Sequence, residues 1–247
     1  MGTQPLLVFG LSGPMAAFGS PAVGERRPVD DRPTRSGVLG IVAACLGIDR
    51  SDEKALLALS EDASVAVRSD EGGRLLLDFH TVQAPRLGKT PFSTRREELE
   101  ASKISTVISY REYRVGAEAT VVLSTTGGRI PDVDAIAEAL RRPVYAPYLG
   151  RRSCPAGEPF WPLVVRDAAD VEAALEAYDA AKRKARGETD DDARGRPRSP
   201  SLGSDAGMNR RGTGGVSQRR RDRLVSARNR HLGLREEIVD SWFGDAT

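Results

Sequence analysis

The run Val38-Leu39-Gly40-Ile41-Val42-Ala43-Ala44-Cys45-Leu46 carries no charge and no polar side chain stronger than a thiol. Apolar on every side, it fits a helix packed inside a core, and it is far too short to span a bilayer. Gly47 stops it. The chain enters it through Arg32-Pro33-Thr34-Arg35-Ser36-Gly37. Pro33 fixes a turn, and Thr34 or Ser36 can cap the first free N–H groups. Those N–H groups and the positive end of the helix dipole favour an anion, with Arg32 and Arg35 beside it. The arrangement suits a phosphate, free or in a nucleotide or nucleic-acid backbone. It equally suits a capped core helix whose arginines are only solvated.

The other elements fall around that helix. Pro5 to Leu11 reads as a buried first strand closed by the turn Ser12-Gly13-Pro14. Residues 15 to 35 form an irregular connection, and Asp49 to Leu59 a second, shorter helix. Strands are expected at 64–68 and 74–79, joined as a hairpin through Asp70-Glu71-Gly72-Gly73. Residues 82 to 106 set Arg86, Lys89, Arg95, Arg96 and Lys103 against Glu97, Glu98 and Glu100, which predicts a protruding arm or a mobile loop. Strand-period alternation returns over 106–115 and continues over 117–123. An amphipathic helix follows at 132–140, with Pro131 in its first turn, and a last clear strand at 160–165.

This order predicts an α+β fold with helices on one face of an antiparallel sheet, best matched by a ferredoxin-like core over residues 1–182. Residues 183–220 are rich in Arg, Gly, Ser, Pro and Asp and predict a flexible, low-complexity insertion. Structure is expected to resume over 221–247, where apolar residues return.

With 247 residues and a net charge of +2, the chain can build a real core and shows no global excess of positive charge. The N-terminus lacks a basic leader, and Cys45 and Cys154 have no metal-like spacing, which together predict a soluble, cytoplasmic chain without a membrane partner. No Walker loop, GxSxG, HExxH or CxxC pair is present. No cofactor or metal is expected.

Nucleic acid has more to hold. Tyr110, Arg111, Tyr113 and Arg114 interleave aromatic and basic side chains on one strand, which suits stacking and phosphate binding together. Gly150-Arg151-Arg152-Ser153 supplies another tight basic turn. With Arg32, Thr34, Arg35, Ser36 and Gly37 these make the candidate RNA-binding set. A catalytic alternative uses His80, which shares a strand face with Asp78, as general base with Tyr110 or Lys103 in a metal-independent endoribonuclease. A third reading is a protein-only scaffold whose basic turns meet acidic partners.

Several of these segments also resemble a known family. Leu11-Ser12-Gly13-Pro14-Met15-Ala16-Ala17-Phe18-Gly19 and Arg32 to Gly40 are similar to the opening of CasD, and Asp78-Phe79-His80-Thr81-Val82, Ser109 to Tyr113 and Pro147 to Pro155 continue the match. CasD caps the backbone at the crRNA 5′ end of Cascade, the type I-E CRISPR surveillance complex. The resemblance implies a modified RNA-recognition fold with a β-hairpin thumb at about 82–106. It implies partners in the crRNA 5′ handle, the CasC backbone subunit, the CasA large subunit and other Cascade subunits, with target DNA reached through the complex. Family members in type I-C systems cut precursor RNA with a Lys-His pair and a Tyr. This chain has no Lys-His dipeptide, so the resemblance implies a non-catalytic subunit, with CasE doing the processing. The 183–220 segment has no counterpart in the family pattern, and Glu236-Glu237 stand where aromatic residues are expected.

Overall fold

The structure is a computed structural model and describes residues 4–85, 92–100, 104–126, 128–188, 201–211, 215–229 and 231–241. In chain order its elements are β1 (Leu6–Ser12), β2 (Met15–Ala16), β3 (Arg26–Arg27), α1 (Arg35–Leu46), α2 (Glu53–Asp62), β4 (Ala63–Glu71), β5 (Arg74–Pro85) and α3 (Arg95–Glu100). Then come β6 (Ile104–Val115), β7 (Glu118–Thr125), α4 (Val133–Arg141), β8 (Leu163–Val165), α5 (Val171–Arg186), β9 (Ser201–Asp205), β10 (Val216–Ser226) and β11 (His231–Ser241). A seven-stranded sheet runs β10-β11-β9-β4-β7-β1-β8, with every neighbouring pair antiparallel.

The pleat divides the core. Leu7, Phe9 and Leu11 of β1 pack with α1 and α4 on one face of the sheet, while Leu6 and Val8 pack with Val171, Ala174, Leu175 and Tyr178 of α5 on the other. The sheet is therefore covered on both faces, which corrects the expectation of helices on one face alone. The difference is α5, which that expectation leaves out. Its apolar residues recur at helical spacing, Asp170 caps its start by accepting from Ala173 N, and Gly187 ends it at φ 65.

The hairpin expected between 64–68 and 74–79 does not form. Both edges of β4 are already taken, by β7 and by β9, so β5 has no edge to pair with. Gly73, at φ 63, instead turns the chain out of the first sheet, where a Cβ would lie 2.8 Å from Val115 O. β5 pairs with β6 in a long two-stranded ribbon, from Arg74↔Val115 out to Pro85↔Ile104. β2 and β3 add to the other edge of β6 near its base.

The stretch expected to be a flexible insertion over 183–220 contributes, in its described parts, the last turn of α5, the strand β9 and the first half of β10. Strand β9 lies inside the sheet, between β4 and β11. Composition misleads here because these strands bury paired charges alongside few apolar side chains, Leu202 among them.

Candidate nucleic-acid interface

The N-terminus of α1 does bind an anion, and the anion is the chain's own. Thr34 caps the helix by accepting from Gly37 N (3.1 Å), and Asp222 Oδ2 of β10 accepts from Arg35 N (2.8 Å). Arg35 Nε donates to Asp205 (2.9 Å), and its Nη2 donates to the carbonyls of Ser60 (2.7 Å) and Ala63 (2.6 Å). Arg32 Nη2 donates to Glu237 (2.5 Å). Arg220 meets Asp30 and Glu237, and Arg235 meets Asp205, Asp222 and Glu237. Arg32 and Arg35 are each only 6% exposed. The structure thus places both inside an internal ion network rather than on an open phosphate seat, with Thr34 buried and Gly37 against Phe18. Ser36 lies beside the cap, its Oγ 3.4 Å from Thr34 Oγ1. Burial pushes the Glu237 carboxyl up, but the Arg32 hydrogen bond and the charges of Arg32, Arg220 and Arg235 outweigh it and hold it at about 2.

The second basic turn divides similarly. Gly150, at φ 89, packs so tightly that a Cβ would lie 2.1 Å from Ala17 O. Arg151 covers the ring of Tyr113 at 4.8 Å and donates to the carbonyls of Glu112 (2.8 Å) and Arg27 (2.9 Å), pinning the turn to β6 and β3. Tyr113 is buried beneath it and offers no face for stacking. Arg152 and Ser153 are exposed.

Strand β3 sits beside β6 with Arg26 in register with Tyr110 and Arg27 with Arg111. Arg26 and Arg27 are exposed, and Tyr110 N donates to Glu25 O (2.9 Å) to hold the strand in place. Arg26, Arg111 and Arg152 have no ion-pair partner among the described residues. By the pleat, Arg26 shares a face with Tyr110, while Arg27 and Arg111 lie on the opposite face with Tyr113, over which Arg151 of the 150–153 turn is placed. Sequence reasoning misses Arg26 and Arg27 because their segment reads as an irregular connection, although the paired arginines are the available signal. It also misses Phe79, opposite Tyr110 on β5, which reads only as a strand residue.

On the ribbon, Arg95 donates to Gln83 O and Glu98, and Arg96 faces Glu100 at 3.9 Å. Arg86, Lys89 and Lys103 lie outside the described residues. His80 Nε2 and Asp78 Oδ2 are 2.5 Å apart, as their shared face predicts. Tyr110 stands opposite Phe79, and His80 opposite Ser109, so the pleat puts Tyr110 and His80 on opposite faces. The histidine–tyrosine pair of the endoribonuclease reading is not brought together. Among the described residues no cluster of three His, Cys, Asp or Glu side chains could hold a metal, and no helix is long and apolar enough to cross a membrane.

The chain is 39% identical over 175 residues to the CRISPR system Cascade subunit CasD of Escherichia coli K12, covering 70% of this chain and 76% of that one. A solved structure titled CRISPR RNA-guided surveillance complex has a chain of similar fold, with TM-score 0.61 and 24% identity over 96% of this chain and 89% of that one. A second, titled Crystal structure of Cas protein, superposes with TM-score 0.59 and 22% identity, over 94% of each chain. The family model described as CRISPR-associated protein (Cas_Cas5) matches residues 6–215, from the first strand through β9, and the chain belongs to that family.

Proposed function

We propose that this chain is a subunit of a CRISPR surveillance complex that holds the 5′ handle of the guide RNA and caps the CasC backbone. The observation that carries this is the set of guanidiniums around β3, β6 and the 150–153 turn: Arg26, Arg111 and Arg152 have no ion-pair partner among the described residues, while Arg32, Arg35 and Arg151 are engaged within the fold. Open guanidiniums beside a half-buried tyrosine suit the backbone of a single strand. The kinship with CasD supports CasC, CasA and the other Cascade subunits as protein partners and target DNA as a ligand of the whole complex. In this reading the β5–β6 ribbon acts as the thumb that presses on the guide, and the chain itself cuts nothing.

The test is co-expression of the tagged chain with CRISPR RNA and the neighbouring subunits, followed by sequencing of the recovered RNA. A discrete guide with its 5′ handle is expected. Replacing Arg26, Arg111 and Arg152 with Ala weakens handle binding and lowers the salt slope by about 0.7 for each phosphate that is no longer neutralised. Unchanged affinity and slope in that variant sink the assignment of these arginines. Repeat RNA cut by the purified chain alone moves it to the nuclease class.

A further inference from the structure

Three adjacent strands bring one unusual row together at the base of the ribbon. Phe79 of β5 pairs with Tyr110 of β6, and Tyr110 is in register with Arg26 of β3. Residues in register on neighbouring strands share a face, so aromatic, aromatic and guanidinium follow one another at about 4.8 Å per step. The Phe79 and Tyr110 rings are 5.4 Å apart and tilted by 51°. Phe79 is 56% exposed, at the end of an open apolar row on the same face of β5 with Leu75 and Leu77, and it is the aromatic member of that row. Glu112, next along this face, is tied down by accepting from Val29 N (3.2 Å), and the acidic Asp78 points to the opposite face with His80.

Resting on the handle-binding reading above, the geometry points to a subsite for one unstacked nucleotide of the guide: its base lies on the Phe79–Tyr110 pair and its phosphate meets Arg26. A nucleotide is the partner whose chemistry matches the row end to end. The base supplies a π-face for the rings, and the phosphate, one sugar away, supplies negative charge for Arg26. Stacking is indifferent to base identity, so the subsite fixes the register of the strand without selecting its sequence.

The experiment is reconstitution of the complex on guides carrying 2-aminopurine, a fluorescent adenine analogue, at one handle position at a time. One position is expected to be strongly quenched. Phe79→Leu and Tyr110→Leu restore its fluorescence and weaken guide binding about tenfold, while Phe79→Tyr keeps both the quenching and the affinity. Arg26→Ala lowers the salt slope and leaves the quenching in place. Because Phe79 is exposed, its replacement leaves the fold intact, which circular dichroism checks. Equal fluorescence at every position, unchanged by Phe79→Leu, overturns the subsite while the handle reading stands. Loss of a protein subunit from Phe79→Leu complexes, with guide affinity unaltered, overturns it in favour of a protein-binding role. A wild-type complex that holds no guide overturns the handle reading and the subsite together.

Discussion

Glu237 shows how a single residue can reverse a functional expectation. Read in sequence, Glu236-Glu237 interrupts a family pattern; folded, Glu237 is 2% exposed and sits among Arg32, Arg220 and Arg235. Its carboxyl titrates at about 2 in the folded chain, below its ordinary 4.5. The unfolded chain therefore binds the proton more readily. The stability contributed by this group is complete above about 4.5 and is lost as pH falls towards 2, on the order of 3 kcal/mol in all. Urea denaturation at pH 7 and pH 3 checks this: Glu237→Gln is expected to be less stable than wild type at pH 7, and the gap to narrow at pH 3. An equal gap at both values refutes the assignment. Arg35 argues the same way. Arg35→Ala takes one partner from Asp205 and leaves the carbonyls of Ser60 and Ala63 unmet, so it should cost about 3–5 kcal/mol of stability. A variant of wild-type stability that merely binds RNA less well would restore Arg35 to the interface.

Among the elements, α1 is the most legible, because its apolar run, Thr34 cap and Gly47 stop are all local signals. Thr34→Ala should cost about 1 kcal/mol, measured as a shift in the urea midpoint at unchanged slope. Strands β1, β6 and β7 and helix α4 are equally plain from alternation and periodicity. The partner of each strand is not. The Asp70–Gly73 turn looks like a hairpin, yet whether β5 can pair with β4 depends on β9, whose residues lie far along the chain. The basic turn at 150–153 is legible as a turn, but only the fold shows that Arg151 is engaged by Tyr113 and two carbonyls while Arg152 stays exposed. Gly150 makes the turn possible. With φ at 89 and Ala17 O in the space a Cβ needs, Gly150→Ala should destabilise the chain by more than about 2 kcal/mol and shift the whole turn. If it folds with wild-type stability, the turn does not pack as described.

At the scale of the molecule, the family match ends at residue 215, where the last hairpin begins, as though that hairpin were an appendage. The sheet argues otherwise. β11 lies against β9, and the hairpin contributes Arg220, Asp222, Arg235 and Glu237 to a network completed by Asp30, Arg32, Arg35 and Asp205. Opposite charges in equal number meet there, so neither half of the network can stay buried without the other. The entry to α1 and the last hairpin should accordingly unfold as one unit, since the Arg32–Glu237 pair closes a loop over most of the chain. A double-mutant cycle tests that coupling. Arg32→Met takes from Glu237 one of its three arginines, Glu237→Leu takes the buried carboxylate from Arg32, Arg220 and Arg235, and each should cost about 3–5 kcal/mol. The double variant, which removes both charges, should lose less than the sum by about 1–3 kcal/mol. Near-UV and far-UV signals should fall together in urea for wild type. Additive losses, or a tertiary signal that melts ahead of the helices, would show that the hairpin is a detachable appendage; coupled losses make it an integral part of the sheet, one that supplies through Asp222 the anion at the α1 N-terminus.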